Sequence, residues 1–146
     1  MNRSQLQLGF SLVLLGLLTG LAVPVMANPR LGLSAHLAGV VGGMFLVLLG
    51  VVTGAMTLSA SLRRVMHGCW IYATYANWTA ALLGAVTGAS GLTPLAGAGT
   101  SGAPMAEFVV GFLLLTLSLA AIAGSTIAIA GLAEPSSDER LEEPRR

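Results

Sequence analysis

Apolar residues fall in four long blocks along this chain, separated by short polar stretches. The blocks cover about residues 6–26, 31–58, 67–87 and 106–132. Each is close to the ~20 residues that a bilayer-spanning α-helix needs. The pattern predicts an all-α fold, an integral membrane four-helix bundle occupying residues 1–132 as one domain. The breaks have turn chemistry. Residues 27–30 (ANPR) read as a turn, because Asn-Pro favours turn initiation and Pro29 stops a continuing helix. Residues 59–64 (SASLRR) read as a polar, basic connection. Residues 90–104 form the longest loop, rich in Gly, Ser and Pro. Residues 133–146 (AEPSSDERLEEPRR) read as a charged, disordered tail with too few apolar side chains to pack.

An echo runs through the first three blocks. Leu15-Gly16-Leu17-Leu18-Thr19-Gly20 recurs 34 residues later as Leu49-Gly50-Val51-Val52-Thr53-Gly54. It recurs after 34 more as Leu83-Gly84-Ala85-Val86-Thr87-Gly88. Glycines four apart open a notch where a neighbouring backbone comes close. Each threonine hydroxyl is placed to bond a carbonyl one turn back. Ala120 and Gly124 give the fourth block the same spacing. The echo is read as a packing pattern. The first block is longer than the apolar core of about 7–15 residues in a secretory signal, so it is read as a span.

Composition agrees with a membrane protein. The chain is 55% hydrophobic and 9% charged, against about 25% charged in soluble domains. Its net charge of +1 and lack of a basic, aromatic-interleaved cluster give no case for nucleic acid. The single Cys69 has no disulfide or metal-spacing partner and reads as a small core residue. Six arginines (Arg3, Arg63, Arg64, Arg140, Arg145, Arg146) fall on one side of a four-span topology and Arg30 alone on the other. By the positive-inside rule both termini face the cytoplasm.

Polar residues inside the blocks are the candidates for chemistry. His36 lies about five residues into the second span, roughly 8 Å along its axis. An ionisable group there marks a functional site, read as a metal ligand or as a hydrogen-bonding neighbour of another helix. Gly39 and Gly43 share its face, leaving room for a large flat ligand or for a close helix. His67, just past Arg63 and Arg64, reads as a water-reached interfacial histidine. Trp70, Thr74, Asn77 and Trp78 share one face of the third span, with Tyr72, Tyr75 and Thr79 opposite. Trp70 and Tyr72 fit an aromatic belt. Asn77 and Tyr75 lie too deep for that and read as interhelical glue or as the lining of an aromatic substrate pocket. Glu107 reads as a cap for the last helix. No paired carboxylates, G-x-S-x-G, Walker A loop or H-E-x-x-H is present.

Two segments carry a family resemblance. NPRLGLSAHLAGVVGGMFLVLLG (28–50) and WIYATYANWTAALLGA (70–85) resemble hydroxylaminobenzene mutases. These are small bacterial membrane proteins that rearrange aryl hydroxylamines to 2-aminophenols in nitroaromatic breakdown. More distantly the segments look like styrene oxide isomerase, a trimeric four-helix membrane enzyme with haem b at a protomer interface. That resemblance implies His36 as the haem ligand and a third-helix asparagine at Asn77. It implies a multi-pass protein of the bacterial inner membrane, a homotrimer, and an aromatic hydroxylamine as substrate. The chain departs from the isomerase at three polar positions, which are Gly42, Ala73 and Ala81 here, so epoxide chemistry is not expected. The expected function is a haem-assisted hydroxyl shift, with Asn77 and Tyr75 as catalytic residues and His36, Gly39 and Gly43 at the cofactor. The alternative is a non-catalytic membrane subunit in which His36 and Asn77 only join helices.

Overall fold

The computed structural model describes residues 3–133, and among them all regular structure is helical. Helix α1 spans Arg3–Ala22, α2 Pro29–Val52, α3 Ala60–Thr87, the single-turn α4 Pro94–Gly97, and α5 Pro104–Ala133. Short 3₁₀ turns, Val23–Val25 and Thr53–Ala55, prolong α1 and α2. Three stretches, Arg3–Val25, Pro29–Ala55 and Pro104–Ala133, are long and apolar enough to cross a membrane. Helix α3 has the length, 28 residues, but Arg63, Arg64, His67 and Asn77 make it more polar. The expected tail lies outside the described residues, except for Ala133, which ends α5.

Local chemistry sets the helix ends. Asn28 caps α2 by accepting from the Leu31 N–H, with Pro29 at the first helical position. Its Nδ2 donates to Gly97 O at 2.9 Å and Thr100 Oγ1 at 2.8 Å, so one buried side chain joins this cap to the last loop. Ser59 caps α3 through the Leu62 N–H. The expected connection at 59–64 is therefore mostly helix, because arginine is a good helix former and Ser59 supplies the cap. Helix α3 stops at Gly88, whose φ of +77° strains any residue with a Cβ.

The helices stand in a row. α1 packs on α2, α2 on α3, and α3 on α5, while α1 and α5 make no substantial contact. The four long helices of the expected bundle form an open row. Glycines let the first seam close. A Cβ on Gly39 would lie 2.5 Å from Gly16 Cα, and one on Gly43 would lie 2.5 Å from Gly9 O. Leu12 and Leu46 are fully buried, and Leu49, Met56 and Met66 form a small core with Phe45 and Trp70 against it. Many large apolar side chains face outward instead, including Leu14, Leu21, Leu37, Val41, Phe112 and Ile122.

Candidate functional site

His36 sits in the α1–α2 seam. Its Nδ1 is 2.8 Å from Gly16 O. A carbonyl oxygen only accepts, so Nδ1 carries the proton and Nε2 keeps a lone pair. The ring is half-buried, and Nε2 is neither buried nor hydrogen-bonded among the described residues. Gly20 makes room for the ring, since a Cβ there would stand 2.6 Å from His36 Nδ1. An imidazole anchored by Nδ1 to a backbone carbonyl, with Nε2 free, has the arrangement typical of a metal-ligating histidine.

Gly39 and Gly43 share this seam, and α1 fills the space they leave. Of the two expected occupants of that notch, a flat ligand and a close helix, the chain supplies the helix. Trp78 packs against Gly39 from α3 and donates its Nε1–H to Thr19 Oγ1 at 3.1 Å.

Asn77 is elsewhere. It is exposed in the groove between α2, α3 and α5, where it lines two adjoining cavities of about 290 and 240 Å³. The larger contains Gly42, Phe45, Trp70, Ala73 and Thr74, and the smaller Leu31, Ala81, Val110 and Leu114. His36 lines neither cavity. The shared face expected for Trp70, Thr74 and Asn77 is found, whereas Trp78 turns towards α1. Within one chain His36 and Asn77 therefore open on different sides.

Of the two readings of Tyr75, the chain shows the interhelical one: its hydroxyl donates to Leu8 O at 2.9 Å, and it does not line the Asn77 cavities. It fastens α3 to α1, because its position on α3 points away from the groove. Trp70 packs inside the chain, its ring tilted at 52° against Phe45 with centroids 4.4 Å apart, beneath Gly124 of α5. Tyr72 bonds Thr116 on α5 at 2.6 Å. His67 is only 7% exposed and bonds Thr53 in the 3₁₀ turn after α2, so it is not an open interfacial histidine. Glu107 caps a loop instead of its own helix, accepting from the backbone N–H groups of Ser90, Gly91 and Gly102. Asn28, which joins the α2 cap to the last loop, was visible in the sequence only as a turn former.

The echo threonines behave as the sequence implies. Thr19, Thr53 and Thr87 each donate to the carbonyl four residues back.

Comparison with known proteins now bears on this geometry. The family model for styrene oxide isomerase matches residues 1–133. The hydroxylaminobenzene mutase HabB of Ectopseudomonas oleovorans is 43% identical over 143 residues, 97% of this chain and 87% of the relative. The hydroxylaminobenzene mutase HabA of the same organism is 57% identical over 35 residues, 24% of this chain and 26% of that relative. No solved structure matches. A near full-length relationship to a mutase sets aside the non-catalytic subunit. The chain is an enzyme of the isomerase and mutase class and belongs to the styrene oxide isomerase family.

Proposed function

We propose that this protein rearranges an aryl hydroxylamine to a 2-aminophenol in the bacterial inner membrane, with haem b held by His36. One observation carries the reaction: similarity to a hydroxylaminobenzene mutase runs along 97% of the chain. The donor set fits the cofactor. Among the described residues no three His, Cys, Asp or Glu gather to hold a bare metal ion. A lone imidazole with a fixed tautomer and a free Nε2 suits a macrocycle that brings its own four nitrogen ligands. Ferric haem, when bound by His36, would supply a Lewis acid for the hydroxylamine oxygen, with no net redox change.

The reaction is an isomerisation. The N–O bond breaks, the oxygen ends on the ortho carbon, and that carbon's proton is replaced on nitrogen. The chain has three tasks in it. His36 holds the cofactor, steadied by Gly16 O. Asn77 offers an amide N–H and a carbonyl to the hydroxylamine, orienting it and stabilising developing charge. The apolar groove around Asn77 keeps bulk water from the electron-poor ring. Gly42, Ala73 and Ala81, where the isomerase resemblance implies polar groups, line the same cavities. Small residues there leave space for an aromatic ring.

His36 and Asn77 open on different sides of one chain, so the site is completed between copies in a homotrimer. The open row and its outward apolar side chains support that assembly. Helix α3 then crosses with the other three, its polar face covered by neighbouring helices. Both termini lie in the cytoplasm, as the arginine distribution implies. The test is His36→Ala in purified protein, assayed for 2-aminophenol formed from hydroxylaminobenzene. The expected result is at least a tenfold loss of activity together with loss of haem absorbance. Full activity with full absorbance overturns the ligand assignment.

A further inference from the structure

A second polar centre lies at the other end of α2, about 25 Å along the helix from His36 by its rise per residue. Thr53 Oγ1 gives its one proton to Leu49 O, so at 3.1 Å it accepts from His67 Nε2–H. That fixes the tautomer of His67, and its Nδ1 keeps a lone pair. Nδ1 is buried without a partner, on a residue only 7% exposed. Gln5 of α1, 1% exposed, packs on Gly50 nearby, and both of its amide atoms are also buried without partners. Proteins pair nearly all buried polar atoms, so this end of the molecule holds polar groups that the chain itself leaves without partners.

His67 lines a cavity of about 510 Å³ together with Gly50, Thr53, Arg63 and Arg64. Neither arginine is in an ion pair among the described residues, and Arg64 uses only its Nε, on Ala60 O. The first turns of α3 add the positive end of the helix dipole. Gly54 and Gly68, also in the lining, have open space where a Cβ would stand.

We propose that this cavity binds a phosphate group. Guanidinium groups match phosphate oxygens in paired geometry. Arg63 and Arg64 supply them, with the His67 ring in the same lining. Two sources share this chemistry: a phosphatidylglycerol headgroup and hydrogen phosphate.

The test follows the imidazole of His67 by ¹⁵N NMR in the full-length protein in detergent, with His67→Gln identifying the resonance. Short-chain phosphatidylglycerol, short-chain phosphatidylcholine and inorganic phosphate are titrated separately. A saturable shift of the imidazole nitrogens with phosphatidylglycerol and not with phosphatidylcholine supports the proposal and names a lipid. The same shift with inorganic phosphate supports it and names a soluble ion. In Arg63→Gln/Arg64→Gln the affinity falls at least tenfold while mutase activity is kept. No shift with either phosphate source overturns the proposal. So does an equal shift with phosphatidylcholine, or an unchanged affinity in the double variant.

Discussion

At the scale of single residues, one hydrogen bond makes the two nitrogens of His36 different. Gly16 O takes the Nδ1 proton, and Nε2 keeps its lone pair. His67 has the opposite arrangement, its Nε2–H held by Thr53 and its Nδ1 buried. The sequence marked both histidines but not their tautomers, because the partners are 20 and 14 residues away in the chain. Asn77 was legible as a deep polar residue, and its cavities required the packing of α5 against α3. Tyr75 was left between joining helices and lining a pocket, and its bond to Leu8 O shows the first, because helical periodicity gives a direction but not which helix lies in that direction. Asn77→Ala is expected to keep haem absorbance and to lower kcat by about 10²-fold, the scale for removing one oriented donor. Steady-state kinetics checks this, and an unchanged kcat removes Asn77 from the reaction.

At the scale of elements, the helices themselves were legible from apolar run length. Their edges were not. Ser59 and the two arginines begin α3 seven residues before the expected 67, because polar residues that cap and start a helix look like a loop in a hydropathy pattern. The Gly39 and Gly43 notch was also legible, and its occupant was the open question. Helix α1 fills it. Gly39→Ala forces a Cβ to within 2.5 Å of Gly16 Cα. The α1–α2 seam then opens at a cost of about 1–3 kcal/mol, the range for overpacking. The expected result is a lower unfolding temperature together with weaker haem retention, since the same seam sets Gly16 O against His36. Both are read in one thermal scan followed by absorbance. The 90–104 loop is organised by the Glu107 carboxylate through three backbone donors. Glu107→Ala is expected to speed proteolysis within that loop while α5 stays helical by circular dichroism.

At the scale of the whole molecule, an open row of helices offers two sides, and the candidate groups are divided between them. One chain holds the free Nε2 of His36 on the α1–α2 side and an apolar groove with an amide on the α2–α3–α5 side. A closed bundle would have hidden both. The exposed apolar faces of α1, α2 and α5 are the surfaces that lipid or other copies cover. Native mass spectrometry of the assembly is expected to give three chains with three porphyrins, and a monomer that retains full activity would contradict completion of the site between copies. The most direct test of the central claim is the absorption spectrum of the purified wild-type protein beside that of His36→Ala, with free imidazole then added to the variant. The account predicts a ferric Soret band in the wild type, its loss in the variant, and its partial return with haem and imidazole. A colourless wild-type protein that still forms 2-aminophenol would contradict it.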